Sequence, residues 1–254
     1  MQRARGVAIV HFMDRTDDGL LIAFEGIDGA GKTTQIELLA GHLRRAGLTV
    51  ATSHEPTTGP WGRKIRTSAT RGRLSPANEL HALTEDRKEH VRDLIGPSLA
   101  AGSVVLLDRY FYSTIAYQGL QSGDTERIAQ DMFRIAPTPD AVVLLDVPAE
   151  LGQARIRDGR HETPNEFEQL GNLRRVRDAF LALGRKYENV SVVDGSNSID
   201  AVRQCIAKLL LAGPLKTKYC SKSYGCDDPV YCSYRANGSC RWVTLCREAD
   251  VQPF

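Results

Sequence analysis

A glycine-rich segment, FEGIDGAGKTTQ, has the residue types and the spacing of a phosphate-binding loop. Gly26 to Thr33 spell G-x-x-x-x-G-K-T, directly after an apolar run that predicts a strand and directly before a helical pattern. Glycines let successive backbone N–H groups point at one anion, and the dipole of the following helix favours the same charge. Lys32 can then reach the terminal phosphates of a nucleotide, and the Thr33 hydroxyl can ligate Mg²⁺. The segment therefore predicts a P-loop, although an acid, Asp28, lies inside it.

A P-loop alone identifies a nucleotide-binding protein without choosing among motors, GTPases, partition ATPases and kinases. The sequence has no N-K-x-D segment of the kind that reads guanine, and the loop lacks the second lysine of partition ATPases. The choice among the remaining classes depends on residues outside the loop.

Charged and polar side chains follow the third predicted strand, in the segment LLDRYFYSTIAYQG. Because open α/β sheets bind ligands at the carboxyl ends of their strands, Asp108 is expected beside the P-loop. Arg109 offers a planar, permanent cation that suits a phosphate group. Ser113, Tyr117 and Gln118 follow at helical spacing and supply hydroxyl and amide groups that can read a sugar or a base edge.

Two further segments are predicted to reach the same crevice. Glu55 follows the second predicted strand in HEPTTGPWGRKIR, and Arg66 lies in the helical pattern after it. Arg87 lies in LTEDRKEH, one turn past Leu83 on a long predicted helix. Each of these charges, taken singly, also fits a solvated surface. Taken together, they place three arginines and two acids around the P-loop.

Apolar runs alternate with helical patterns along the chain, which favours a parallel sheet covered on both faces. Helices are predicted from 31 to about 46, over 78–102, and up to 211. Strands are predicted at residues 20–26, 48–53, 103–108, 141–147 and 190–195. The sequence therefore predicts an α/β fold with a five-stranded parallel sheet.

Periodicity and composition suggest three parts of the chain. We expect residues 1–18 to be a leader or a mis-called start, residues 19–213 to be the P-loop domain, and residues 214–254 to be an appended tail of uncertain order. Five of the six cysteines lie in that tail, without a C-x2-C pair, so a zinc site is the weaker reading of them. The nearly cysteine-free body predicts a cytoplasmic protein. A net charge of +2 gives no indication of nucleic acid or an anionic membrane as partner, and no apolar run approaches the roughly 20 residues that span a bilayer.

The motifs EGIDGAGKTTQ, the E-P of HEPTTGPWGRKIR, DRKEH and DRY…S…AYQG together resemble thymidylate kinases, the nucleoside-monophosphate kinase family that phosphorylates dTMP. The resemblance covers about residues 19–213. It implies a P-loop kinase fold with a small lid, ATP and Mg²⁺ as cofactors, and a homodimer.

The resemblance also implies roles for individual residues. ATP is expected on the P-loop residues Gly26, Ile27, Asp28, Gly29, Ala30, Gly31, Lys32, Thr33 and Thr34. The metal is expected on Thr33, Asp28 and Asp108. The acceptor nucleotide is expected on Glu55, Arg66, Leu83, Arg87, Arg109, Ser113, Tyr117 and Gln118. Catalytic roles are expected for Lys32, Arg109, Asp28, Arg155 and Arg160.

Within the acceptor site, the resemblance implies that Asp28 faces the sugar of the acceptor and the metal. Arg66 and Arg109 are expected to hold the dTMP phosphate, and Arg87 is expected to hydrogen-bond the base. Leu83 stands where the family usually has a phenylalanine that stacks on thymine. This departure leaves the base preference open.

The segment ARIRDGRHETPNEFE, residues 154–168, predicts a mobile lid, with Arg155, Arg157 and Arg160 near Gly159. Because Gly29 follows the P-loop acid, the chain resembles the members of the family whose key arginine lies in the lid. A lid guanidinium would neutralise charge on the transferring phosphoryl group. The sequence does not choose among the three arginines, and a solvated basic helix end is the alternative.

These observations predict an ATP-dependent kinase that converts dTMP to dTDP. A kinase for another pyrimidine monophosphate, such as dUMP or a modified dTMP, is the nearest alternative. A P-loop regulatory ATPase without an acceptor substrate is the alternative from a different class.

Overall fold

The computed structural model describes residues 19–160 and 169–219. The predicted leader, the part of the predicted lid at 161–168 and the five cysteines of the tail lie outside the described residues. Among the helices of the described ranges, none is both long enough and apolar enough to cross a membrane.

A single five-stranded sheet forms the centre of the fold. Its strands are β1 (Leu20–Glu25), β2 (Val50–His54), β3 (Val104–Asp108), β4 (Ala141–Asp146) and β5 (Val190–Asp194). They lie in the order β2-β3-β1-β4-β5, and every neighbouring pair is parallel. The predicted parallel sheet and α/β class are confirmed. All the carboxyl ends meet at one edge, where Phe24 pairs with Asp108.

Ten α-helices connect and cover the strands within the described ranges. They are α1 (Lys32–Arg45), α2 (Pro60–Arg71), α3 (Pro76–His90), α4 (Gly96–Ala100), α5 (Phe111–Ser122), α6 (Thr125–Ile135), α7 (Ala149–Arg160), α8 (Leu170–Lys186), α9 (Ile199–Ala212) and α10 (Pro214–Tyr219).

The helices cover both faces of the sheet. From β1 at the centre the chain adds strands first towards one edge and then towards the other, and right-handed connections in these two directions place their helices on opposite faces. Helices α1 and α9 pack on each other and against strands of the sheet, and α5 packs on α8, which contacts β4 and β5. As a result β1, β3 and β4 are buried almost throughout, which explains their continuous apolar sequences. Glu25 is the one charged residue of β1, and its carboxylate is buried as well, with only 1% of the residue exposed.

The prediction of one long helix over residues 78–102 is wrong in detail, because the structure divides this segment into three parts. Helix α3 passes into a π-helical turn at Val91–Ile95, and α4 follows. The N–H of Gly96 bonds to the carbonyl of Val91, five residues earlier. Pro97 has no N–H to continue an α-helical ladder, so the widened turn comes directly before it.

The chain beyond Gly213 also differs from the expectation that helical structure ends there. Helix α10 follows at once and packs on α9. Leu215 is 1% exposed and belongs to the hydrophobic core. The boundary of the tail stays a prediction, but the first six residues beyond Gly213 are helical.

Leu215→Ala tests whether α10 is part of the core. We expect the substitution to cost about 2–5 kcal/mol of unfolding free energy, the usual range for a buried leucine. In a domain of this size the melting temperature should fall by about 5–15 °C. Thr217→Ala, at an exposed position of the same helix, is the matched control and should melt close to the wild type. Equal melting temperatures for both variants would show that α10 contributes nothing to the core.

Candidate active site

The P-loop lies between β1 and α1, where the sequence predicted it. Gly29 and Gly31 have φ of 79° and 94°, a region that favours glycine. The Lys32 ammonium is folded back over the loop and donates to the carbonyls of Gly26 (3.2 Å) and Ile27 (3.0 Å). Burial, aided by the charge of Arg109, lowers the pKa of Lys32 to about 8. The loop therefore has the form of an anion cradle with its lysine already in place.

Thr33 and Asp108 provide oxygen atoms beside the P-loop. The Thr33 hydroxyl donates a hydrogen bond to Asp108 Oδ2. The two meet because Thr33 lies in the first turn of α1, while β3 ends beside β1 at Asp108. A hydroxyl and a carboxylate are ligand types that Mg²⁺ prefers. Within the described part of the chain, no group of three or more His, Cys, Asp or Glu side chains could hold a metal ion by itself.

The acid inside the P-loop pairs with the arginine at the end of β3. Arg109 Nη2 donates to Asp28 Oδ1 at 2.8 Å. Arg109 is also the only non-glycine residue of the described ranges with a positive φ, 67°. A strained backbone of this kind persists only where the surroundings hold it, and it recurs at ligand-binding sites.

Two side chains of α5 complete the environment of Arg109. Nη1 donates to Ser113 Oγ at 3.0 Å, and the guanidinium lies over the ring of Tyr117, 5.4 Å from its centroid. Burial raises the pKa of Tyr117, so its hydroxyl stays neutral. The guanidinium is thus held on three sides, by Asp28, Ser113 and Tyr117.

A cavity of about 190 Å³, here called the acceptor pocket, opens next to this arginine. Its walls come from the P-loop, the end of β2, α2, α3 and the start of α5. The lining residues are Asp28, Glu55, Pro56, Ile65, Glu79, Leu83, Arg87, Arg109, Tyr110, Ser113, Thr114, Tyr117 and Gln118.

The pocket contains every residue predicted for the acceptor site except Arg66. Arg66 is exposed, and its Nη1 donates to the carbonyl of Pro56, so it lies outside the lining. Leu83 and Ile65 form an apolar part of the pocket wall. Leu83 is the residue that stands where the family usually has a phenylalanine.

Arg87 and Glu55 form a buried ion pair in the floor of the pocket. Nε and Nη2 of Arg87 both donate to Glu55 Oε2, at 3.0 and 2.5 Å. The other oxygen, Oε1, contacts His90 Nδ1 at 3.0 Å, and Nε2 of the same ring contacts the Ser53 hydroxyl. Burial opposes ionisation of Glu55, but Arg87 and His90 outweigh it and hold the pKa of the carboxyl below its usual range. Glu55 therefore orients Arg87 as well as lining the pocket.

The three lid arginines lie on α7, and Arg160 is its last residue. Arg155 donates to the carbonyls of Gly29 (3.4 Å) and Gly195 (3.1 Å), so it joins α7 to the P-loop and to the end of β5. Arg157 is exposed, and its Nε lies 3.5 Å from Oδ1 of its neighbour Asp158. The side chain of Arg160 lies outside the described part of the structure.

A close contact between two glycines joins the P-loop to α7. A Cβ atom at Gly29 would lie 2.2 Å from the carbonyl oxygen of Gly152, and one at Gly152 would lie 2.8 Å from the carbonyl oxygen of Asp28. Neither position has room for a side chain. An arginine therefore does not fit at position 29, directly after the P-loop acid, because its Cβ would clash with the backbone of α7.

Sequence reasoning missed two acids near the site. Glu79 lines the pocket one helical turn before Leu83, a spacing that could have identified it. Glu25 accepts hydrogen bonds from the start of α5, and burial raises its pKa to about 7 against the opposing effects of Ser113 and Arg109. Its signal was present as an acid at the end of an otherwise apolar strand.

A parallel α/β sheet with a P-loop at its centre, and a second pocket whose arginine pairs with the P-loop acid, define a phosphotransferase of the nucleoside-monophosphate kinase class. The family model for thymidylate kinase matches residues 24–206. The chain belongs to the thymidylate kinase family.

Curated relatives agree with the family match. A thymidylate kinase of Xanthomonas campestris pv. campestris (strain B100) is 48% identical over 202 residues, covering 79% of this chain and 87% of the relative. A thymidylate kinase of Xylella fastidiosa (strain M12) is 47% identical over 184 residues, covering 72% and 83%. One from Xanthomonas oryzae pv. oryzae (strain PXO99A) is 48% identical over 195 residues, covering 76% and 84%.

Gly29→Ala tests the contact between the P-loop and α7. Gly47→Ala is the matched control, because Gly47 also has a positive φ, 81°, but a Cβ there would meet nothing within 4 Å. Both variants carry the cost of a left-handed backbone, about 1–2 kcal/mol. Only Gly29→Ala adds a clash with backbone, so its melting temperature should fall well below that of Gly47→Ala. Equal shifts would show that the loop does not rest on α7.

Proposed function

We propose that this chain transfers the γ-phosphoryl group of ATP to the phosphate of dTMP, giving dTDP and ADP. The observation that carries the proposal is the pairing of Arg109 in the acceptor pocket with Asp28 in the P-loop, at 2.8 Å. This pair brings a phosphate-binding cation to the boundary between the two sites. A hydrolase without an acceptor would have no use for a second polar pocket at that position.

Positioning and charge neutralisation are the main tasks of the protein in such a reaction. The acceptor phosphate is already an anion and needs no strong base. In our proposal the P-loop N–H groups and Lys32 hold the donor phosphates. Arg109 holds the acceptor phosphate in line with them, and Asp28 keeps Arg109 directed towards the P-loop.

Recognition of the nucleoside is assigned to the deeper part of the acceptor pocket. Arg87 and Gln118 are buried and offer N–H donors, and Gln118 also offers an acceptor. Leu83 and Ile65 offer an apolar surface for the face or the methyl group of a pyrimidine. The ion pair with Glu55 fixes the Arg87 guanidinium, so its directional donors are in place before a base arrives. Arg66, at the edge of this region, stays a predicted phosphate ligand.

Magnesium is part of the proposal, with Thr33 and Asp108 as the residues that would hold it. Their two oxygens fit the preferences of the ion, which usually takes its remaining ligands from phosphates and water. Bound there, the ion would neutralise charge on the donor phosphates. Asp28 stays a predicted metal ligand. Its Oδ1 accepts a hydrogen bond from Arg109.

An arginine of the lid is proposed to neutralise the transferring group. The contact between Gly29 and Gly152 leaves no space for a side chain at position 29 of the P-loop. Because Arg155 is engaged with two backbone carbonyls, the exposed Arg157 is a better candidate than Arg155. Arg160 stays a predicted catalytic residue.

The proposal also includes a homodimer and a cytoplasmic location. The first rests on the family, and the second rests on the near absence of cysteine from the body of the chain. The leader at residues 1–18 and the boundary of the tail at residue 214 stay predictions.

ADP formation with a panel of nucleoside monophosphates tests the proposed function. We expect ATP turnover to depend on an added monophosphate, with kcat/KM highest for dTMP and lower for dUMP and dCMP. Lys32→Ala should remove nearly all transfer without unfolding the chain, whereas the control Lys64→Ala, outside the P-loop, should not. Turnover that is independent of any monophosphate would contradict a kinase and favour an ATPase. A higher kcat/KM for another monophosphate would contradict dTMP as the substrate.

A further inference from the structure

The carboxylate of Glu25 is buried at the junction of the two sites, and no role assigned so far uses it. Glu25 is the last residue of β1 and directly precedes Gly26, the first residue of the P-loop motif. Its side chain is directed towards the start of α5 rather than into the P-loop. A buried carboxylate needs hydrogen-bond donors to offset its lost hydration.

Three donors from α5 and the residue before it satisfy this carboxylate. Oε1 accepts the backbone N–H groups of Tyr110 (2.9 Å) and Ser113 (3.1 Å), and Oε2 accepts the Ser113 hydroxyl (2.6 Å). Helix α5 has no side-chain cap of its own, because its N-cap residue is Tyr110. Glu25 therefore caps α5 from a distant strand, at the end of the helix where a negative charge is favourable.

The same contacts determine where the Arg109 guanidinium points. Arg109 directly precedes the capped residues, and its backbone is in the left-handed region with φ of 67°. The Ser113 hydroxyl donates to Glu25, which turns an oxygen lone pair towards Nη1 of Arg109, 3.0 Å away. Glu25 thus holds both the backbone around Arg109 and one of the three groups that surround its guanidinium.

We propose that Glu25 is a positioning residue for phosphoryl transfer, which fixes Arg109 in the acceptor pocket through Ser113 and through the start of α5. This inference rests on the proposed function, because it assigns Arg109 to the acceptor phosphate. It predicts that loss of Glu25 impairs the use of dTMP and leaves ATP binding largely intact.

An amide at this position cannot reproduce the carboxylate. Both oxygens of Glu25 accept hydrogen bonds, so an NH₂ group in place of either one would face a donor. If the NH₂ faced Ser113, it would compete with Arg109 for the hydroxyl oxygen. If it faced the backbone, it would oppose two N–H groups. Glu25→Gln therefore changes the network while nearly keeping the size of the side chain.

The test compares Glu25→Gln with Asp140→Asn in the full-length protein. Asp140 is a matched control, because its Oδ2 accepts the N–H of Leu21 at the opposite end of the same strand. We expect Glu25→Gln to lower kcat/KM for dTMP by about 10- to 100-fold, as the loss of a hydrogen bond to a charged group typically does. Calorimetric Kd values for ATP should stay within about twofold of the wild type, and Asp140→Asn should change neither quantity.

If Glu25→Gln does not fold, Glu25→Asp is measured in its place. The shorter side chain keeps the charge and both acceptors but withdraws them from Ser113, so the same selective loss for dTMP is expected. A folded variant at position 25 with kcat/KM for dTMP within about twofold of the wild type would overturn the inference. Equal losses in dTMP use and ATP affinity would overturn it as well, because they indicate a general structural role.

A double-mutant cycle with Arg109→Lys tests whether Glu25 acts through Arg109. If it does, the loss caused by Arg109→Lys should be several-fold smaller in the Glu25→Gln background than in the wild type. Additive losses would overturn the inference. A wild-type protein with no dTMP-dependent turnover would overturn the proposed function and this inference together. An active wild type with an unaffected Glu25→Gln variant would overturn only the inference.

Discussion

The ion pair between Asp28 and Arg109 is the interaction on which the two halves of the site depend. It joins the P-loop, which follows β1, to the start of α5, which follows β3. The pair is possible because β1 and β3 are neighbours in register, so their carboxyl ends open at the same level. An acid in an anion-binding loop would otherwise oppose its ligand. Here its charge is matched by a cation that serves the neighbouring pocket, and the half-buried pair is a charge-assisted hydrogen bond with a directional geometry.

Much of the fold and of the acceptor pocket could be predicted from the sequence, because both follow from local rules. Parallel strands buried on both faces are continuous apolar runs, and the P-loop pattern lies between such a run and a helix. Ser113, Tyr117 and Gln118 lie in the pocket because helical spacing places them on one side of α5. The topology then brings Arg87 and Glu55 to the same crevice, although the sequence did not indicate that they pair with each other.

The features that sequence reasoning missed depend on contacts between distant segments. The role of Glu25 requires knowledge of how closely α5 approaches β1, and the contact of Gly29 with Gly152 requires the position of α7. The resemblance implied that Arg66 holds phosphate, yet its guanidinium bonds to the carbonyl of Pro56. The π-helical turn and α10 differ from the prediction because periodicity along the sequence shows neither a widened turn within a helix nor the packing of Leu215 in the core.

The central claim is that the P-loop and the acceptor pocket form one site for direct transfer. A quenched reaction of the full-length protein with dTMP and ATP labelled on its γ-phosphate tests this claim most directly. Our account predicts that the label appears in the β-phosphate of dTDP, in step with the formation of ADP, and that little enters inorganic phosphate. Label that accumulates in inorganic phosphate while dTMP stays unchanged would contradict the account.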